Sequence, residues 1–257
     1  MRILALGDIV GSDTVSYLQK HLSQVQKNEK IDFTVANGEN VSEIRGIVPK
    51  DAIGILEAGV DLITLGNHAF GLKEIYPFLD ANEQKIIRPA NFPPTAPGNG
   101  YTVLNVNGWR MLCISISGRA FLDPLACPFD TLDKILAREA GAYDLALLDI
   151  HGEATSEKLA LAYDFDGKID VMFGTHTHVP TADERVLPHG SGYITDLGMC
   201  GPTEGIIGTD REDVIRRFRT QLPTRFNVAK GEIRAHGAIF DLDESARRVR
   251  DVKRIVF

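Results

Sequence analysis

At 257 residues and 44% hydrophobic content, the chain is long enough to bury a full core as one α/β domain, residues 1–257, without an accessory domain. A formal net charge of −7 and a pI near 5.5 exclude a broad basic nucleic-acid face, so no stable nucleic-acid partner is expected; a small phosphorylated substrate held through metal ions remains open. Three cysteines, Cys113, Cys127 and Cys200, without CxxC spacing, exclude a disulfide framework or zinc ribbon and fit a reduced cytosol.

Residues 3–6, Ile-Leu-Ala-Leu, form a buried first strand that runs into Gly7-Asp8, and Val15, Leu18, Leu22 and Val25 follow at helical spacing. That start is too short for a signal-peptide core, and no segment approaches the roughly 20 apolar residues of a bilayer span, so a soluble cytoplasmic protein is expected. Asp8 stands at a helix entrance and, taken alone, reads as its cap. Residues 33–36 repeat the arrangement and end in Asn37-Gly38-Glu39-Asn40, which in isolation is ordinary turn chemistry. Pro49 opens a helix that continues to Glu57. A third strand, residues 62–65, breaks at Gly66, whose conformational freedom is expected to permit a sharp exit presenting Asn67 and His68 at the strand's carboxyl end.

The helical stretch 72–82 must begin, kink or end in part at Pro77. A short strand and turn over 86–91 precede a proline-rich loop, 92–100. Residues 101–106 and 110–116 flank Asn107-Gly108, a hairpin signal that introduces antiparallel pairing and makes the sheet system mixed. A helix over 131–139 leads to the apolar strand 145–150, which ends on His151-Gly152-Glu153. A further helix, 156–163, leads to the strand 169–173 and then to Gly174-Thr175-His176-Thr177-His178. In an extended segment residues i and i+2 point the same way, so both imidazoles are expected to face one centre. Residues 210–221 form a basic amphipathic helix whose Arg211, Arg216, Arg217 and Arg219 read as a solvated face rather than a phosphate-binding patch. Residues 224–230, 232–241 and 247–256 read as antiparallel strands.

Asp8, Glu39 with Asn40, Asn67 with His68, His151, and His176 with His178 each follow a strand-like run, so a folded sheet would gather them along one edge. Carboxylates, amides and imidazoles without thiolate suit iron, manganese or zinc in a reactive site better than a structural zinc site. With their order along the chain, these residues resemble the calcineurin-like metallophosphoesterases: a strand-end Asp, a bridging acid, a Gly-Asn-His block, a later His and a His-x-His pair. Two departures, Val10 where that superfamily usually has His and Glu39 where it usually has Asp, point to a narrower group. Gly38-Glu39-Asn40, Gly66-Asn67-His68-Ala69-Phe70, Gly174-Thr175-His176-Thr177-His178, Thr195-Asp196-Leu197-Gly198-Met199 and Gly201-Pro202 are similar to the YmdB-type metallophosphoesterases along nearly the whole chain.

The resemblance implies a four-layer α/β/β/α sandwich with two mixed sheets, two metal ions per chain with iron favoured over manganese, and a homo-oligomer, dimer or tetramer. It implies hydrolysis of cyclic nucleotides, the 2′,3′-cyclic kind first and the 3′,5′-cyclic kind as a further candidate, by a hydroxide bridging the metals. Asp8, Glu39, Asn40 and His178 would hold one ion; Glu39, Asn67, His151 and His176 would hold the other, with Asn40 in place of the missing histidine and Glu39 bridging. His68 would stay off the metals and act on the phosphate or the leaving oxygen as catalyst. Two alternatives stand beside this: a phosphomonoesterase or nucleotidase with the same metals, and a metal-loaded nucleotide-binding scaffold without turnover.

Overall fold

The computed structural model describes residues 1–42 and 44–257. Four short strands, β1 (Arg2–Leu6), β3 (Phe33–Asn37), β4 (Leu62–Thr64) and β5 (Ile86–Ile87), run parallel, with β2 (Asp8–Ile9) a brief continuation of the first. A second sheet contains β6 (Tyr101–Val106), β7 (Trp109–Ser117), β8 (Leu145–His151), β9 (Val171–Thr175), β10 (Arg185–Val186) and β11 (Gly192–Ile194), in the order β10-β11-β9-β8-β7-β6. The chain then returns to the first sheet through β12 (Met199–Pro202), β13 (Ile233–Asp243) and β14 (Arg248–Val256), and β13 pairs antiparallel with β1. Both sheets are therefore mixed, and the Asn107-Gly108 hairpin joins β6 to β7 as expected.

Side-chain alternation accounts for the layers. Leu4 and Leu6 of β1 face a cluster shared with α1 (Ser12–Glu29), α2 (Pro49–Glu57) and α3 (Tyr76–Ala81), whereas Ile3 and Ala5 face the second sheet. Between the sheets, Phe33, Val35 and Leu62 pack with Cys113, Leu147 and Phe173. On the far side, Leu112, Leu148 and Met172 meet Leu132 and Ile135 of α4 (Pro128–Arg138) and Leu161 of α5 (Thr155–Asp164). Three apolar clusters thus separate four layers, the α/β/β/α sandwich that the resemblance implied. Full burial of each such side chain stabilises the fold by about 1.5–3 kcal/mol. Among the described residues no helix is long and apolar enough to cross a membrane.

One local expectation, at Pro77, holds and two need correction. Pro77 lies in the first turn of α3, where its missing N–H leaves no helical bond unmade, and the preceding turn Lys73–Ile75 is a separate 3₁₀ segment. Residues 224–230 form no strand; a single bridge, Val228 to Thr209, is all the pairing there. Asp8 does not cap α1, whose N-cap is Gly11 without a side-chain bond. Instead the chain steps sideways at Gly7, which donates to the His236 carbonyl at 3.0 Å, and Asp8-Ile9 re-pair in parallel with β12. A Cβ on Gly7 would lie 2.1 Å from the Gly198 carbonyl oxygen, so only glycine allows this crossing.

Candidate active site

The carboxyl ends of β1, β3 and β4 in one sheet and of β8 and β9 in the other meet at one end of the sandwich, the edge where α/β folds place ligands. Asp8, Glu39, Asn40, Asn67, His68, His151, His176 and His178 all converge there, with Asp8, Glu39 and His151 fully buried.

Two donor groups are apparent. His151 Nε2 lies 2.9 Å from Glu39 Oε1, 3.0 Å from Asn67 Oδ1 and 3.1 Å from His176 Nδ1. Donors about 2.1 Å from one ion at right angles stand ~3.0 Å apart, so these separations fit a single coordination sphere. Beside them, His178 Nε2 is 3.7 Å from Asp8 Oδ1 and 3.1 Å from Asn40 Nδ2. A half-turn of the Asn40 amide presents its oxygen, the atom a cation requires. Glu39 Oε1 is buried and accepts no aligned hydrogen bond among the described residues. Its close partner is His151 Nε2 at 2.9 Å, and a cation would take over the role of the proton that ring carries when charged.

The outer nitrogens of the three imidazoles make the same point. His178 Nδ1 lies 2.9 Å from the Ile207 carbonyl and His176 Nε2 3.0 Å from Glu153 Oε2; both partners accept only, so these nitrogens carry the protons. His151 Nδ1 is 2.9 Å from Thr175 Oγ1, whose own proton goes to Asp149 Oδ1 at 2.7 Å, so His151 Nδ1 donates as well. In its neutral form each ring then turns an unprotonated nitrogen inward, the tautomer a metal ligand needs; His151 reaches that form by giving up the Nε2 proton it otherwise shares with Glu39 Oε1 at 2.9 Å.

Backbone geometry differs from the sequence expectation at two places. The His-x-His segment is not extended: His176 has φ 100° and His178 φ 64°, so the rings reach different donor groups instead of one centre. Buried bonds hold this unusual path. His176 N donates to Asp8 Oδ2 at 3.0 Å and Thr177 N to Asp196 Oδ2 at 3.2 Å; fully buried Lys158 bridges Asp196 Oδ2 at 2.7 Å and the Thr175 carbonyl at 2.8 Å. Gly66, for its part, needs no positive φ. Its hydrogen faces the His151 ring, where a Cβ would come within 2.1 Å, so glycine is required by close approach.

The charges are strongly coupled. Burial opposes a charge on His151, but Glu39, Asp8 and Asp149 outweigh it and push its pKa up to about 9. Burial likewise opposes ionisation of Glu39, yet the neighbouring His151 and His68 bring it down to about 2. At Asp8 burial wins over His178 and His151, leaving it at about 6. Burial and then the charge of His151 press His176 down to about 3.

His68 is half-buried, its Nε2 3.4 Å from Asn67 Nδ2, and it lines a cavity of about 470 Å³ together with Glu39, Asn40, His176 and His178. Its backbone N–H donates to Glu39 Oε2 at 2.9 Å, and its ring pKa is lowered, chiefly by burial, against the pull of Glu39 and with the help of Arg45. The opposite wall is apolar, with Ile207 from the loop after β12, Phe218 from α6 (Arg211–Thr220), and Phe226. Sequence reasoning missed this wall, together with Lys158 and Glu153. An acid inside the apolar run of β8, Asp149, was the one available signal for the support behind His151.

A four-layer sandwich with carboxylate, amide and imidazole donors gathered across two sheet edges defines a metallophosphoesterase-like hydrolase. A family model for YmdB-like proteins matches residues 4–255, and the chain belongs to that family. It is 43% identical over 256 residues to the 2′,3′-cyclic-nucleotide 2′-phosphodiesterase of Bacillus subtilis (strain 168), covering 100% of this chain and 97% of that protein. Among solved structures, a hypothetical protein from Thermus thermophilus superposes with a TM-score of 0.93 at 39% identity, covering 100% of this chain and 99% of that one. A novel phosphatase from Mycoplasma pneumoniae superposes with a TM-score of 0.94 at 32% identity, covering 100% and 93%. The protein is a hydrolase of the phosphatase/phosphodiesterase type.

Proposed function

We propose that this protein hydrolyses nucleoside 2′,3′-cyclic phosphates, the substrate class in the name of its Bacillus relative. The observation that carries this reading is the inward convergence of His151 Nε2, His176 Nδ1 and His178 Nε2 on the buried Glu39 oxygen and on Asp8. Glu39, Asn67, His151 and His176 would hold one ion and Asp8, Glu39, Asn40 and His178 a second, with iron favoured and manganese the alternative. When bound, such ions offset phosphate charge and make water a competent nucleophile at neutral pH.

The chain's own groups supply the rest. Water adds at phosphorus, the P–O2′ bond breaks, and O2′ takes up a proton to leave a nucleoside 3′-phosphate. His68, at the cavity face beside the donors, hydrogen-bonds the phosphate and delivers that proton. Burial keeps its ring neutral in the resting site, and an arriving anion favours the protonated form. Phe218 and Phe226 offer the base a stacking surface, while Arg45 faces the phosphate from the rim.

The test is turnover of 2′,3′-cyclic AMP, with 3′,5′-cyclic AMP and an aryl monophosphate alongside, on protein whose metal content is measured in the same sample. His68→Ala is expected to keep its metal and lose 10²–10⁴-fold in kcat, roughly the worth of a proton-transfer group. Glu39→Ala is expected to lose metal and turnover together. Full occupancy in Glu39→Ala would break the bridging assignment, and a metal-loaded protein that binds cyclic nucleotide without converting it would replace the enzyme with a binding protein.

A further inference from the structure

The cavity that holds His68 does not end at Arg45. A second cavity, of about 590 Å³, adjoins it and shares Ile44, Arg45 and Phe226 with it. The rest of its lining comes from Arg217 of α6 and from residues 223–228, including Arg225, and no carboxylate of the described residues contributes. Three guanidinium groups thus line one cleft of a protein whose net charge is −7. Arg216, the neighbour of Arg217, pairs with Asp213 at 3.8 Å, whereas Arg217 gives one N–H to the Gln221 carbonyl and has no ion-pair partner among the described residues. Of the α6 arginines read as a solvated face, Arg211, Arg216 and Arg219 are exposed, and Arg217 is half-buried and lines the cleft.

Guanidinium groups match phosphate oxygens in pairs, and Asp213, the described acid that touches the lining, is already engaged by Asn227 N and Nδ2 at 3.2 and 2.8 Å. The position is informative too. The reacting phosphate belongs at the donor groups of the first cavity; a ligand that also fills the second must carry another phosphate beyond its base. Strand cleavage by attack of a ribose 2′-hydroxyl on the adjacent phosphodiester expels the 5′-oxygen of the next nucleotide and leaves a 2′,3′-cyclic phosphate on the upstream fragment. Such a fragment carries its next phosphate on the 5′ side of the cyclic end. Resting on the cyclic-phosphodiesterase reading, we propose that the second cavity is a subsite for this 5′-side phosphate, so that the preferred substrate is the cyclic-phosphate end of a short oligoribonucleotide. One or two phosphates suffice to fill it, which is compatible with the lack of any broad basic face.

The experiment compares kcat/KM for adenosine 2′,3′-cyclic phosphate, the same compound bearing a 5′-phosphate, and a diadenosine nucleotide ending in the cyclic phosphate. It uses the metal-loaded wild-type protein, R217Q/R225Q and R217K/R225K. Wild type is expected to favour at least one phosphate-bearing substrate by about tenfold or more, mainly through KM, the worth of one charged hydrogen-bonded contact. That ratio should fall toward one in the glutamine variant and persist in part in the lysine variant. Because each ratio is taken within one protein, a loss of folded fraction cancels. A preference for both extended compounds assigns the subsite to phosphate itself, and a preference for the dinucleotide alone assigns it to the linked strand; both sustain the proposal. Equal kcat/KM for all three in wild type, or an undiminished preference in R217Q/R225Q, overturns it while leaving the cyclic phosphodiesterase reading intact. Absence of turnover of any of the three would instead remove the reading on which the subsite rests.

Discussion

Gly66→Ala adds a single methyl group, which the structure places 2.1–2.4 Å from Cδ2, Nε2 and Cε1 of His151. Relief to ordinary contact requires the ring to retreat by about 1 Å. The ring is not free to do so, because Nδ1 is tied to Thr175 and Thr175 to Asp149, all fully buried. Coordination tolerates displacements of only about 0.2 Å, so the ion proposed for Glu39, Asn67, His151 and His176 is expected to be lost or bound at least 100-fold more weakly. Overpacking adds about 1–3 kcal/mol of destabilisation, and turnover should fall with occupancy. Gly152→Ala is the control: it lies next to the same histidine, but its Cβ would meet nothing closer than 3.7 Å. Metal content after reconstitution, thermal unfolding and kcat would be measured on both variants. Native metal content and turnover in Gly66→Ala would refute the argument that this glycine exists to admit the imidazole.

Three further outcomes follow from the same geometry. Lys158→Met strands the buried Asp196 carboxylate and should cost about 3–5 kcal/mol in urea unfolding; adding Asp196→Asn should recover part of it, and simple additivity of the two losses would dismiss the pair. Phe218→Ala, which removes a ring 75% exposed over the cavity, should raise KM for a cyclic nucleotide by about 5–100-fold with kcat little changed, as loss of one stacked base predicts; an unchanged KM would place the base elsewhere. Chelator-stripped protein should take up metal more tightly as pH rises from about 6 to about 9, releasing protons from Asp8 and His151, and a flat titration calorimetry profile would contradict this. By the same sign, the raised pKa of His151 stabilises the stripped protein fully below the ordinary 6.5 and ceases to do so as pH passes about 9.

The strand ends were legible because each is an apolar run broken by a glycine and a donor side chain, a contrast that survives without any knowledge of tertiary contacts. What the donors do to one another was less so. The His176 and His178 directions depend on positive φ angles enforced by Asp8, Lys158 and Asp196, and nothing in the local pattern announces them. Lys158 lies on a helix where lysine ordinarily faces water; only the fold reveals it as the internal partner of Asp196. Residues 224–230 misled because Phe226 and Val228 alternate as in a strand. Their apolar groups serve instead as a cavity wall and as packing against Gly11, whose Cβ would lie 2.8 Å from Val228 Cγ1.

The seam between the two sheets acquires a further meaning from the donors at its end. Asp8, Glu39 and Asn67 belong to the first sheet and His151, His176 and His178 to the second, so each ion would act as a rivet through two layers otherwise joined by an apolar contact and a few buried hydrogen bonds such as Ser115 Oγ to the Leu65 carbonyl. Neither half of the polypeptide holds a full ligand set, and the first sheet is itself incomplete until β13, near the carboxyl terminus, has paired with β1. Metal capture would then need both sheets in place, and the free ion concentration would become a term in stability, worth about 2.7 kcal/mol at one hundred times the dissociation constant.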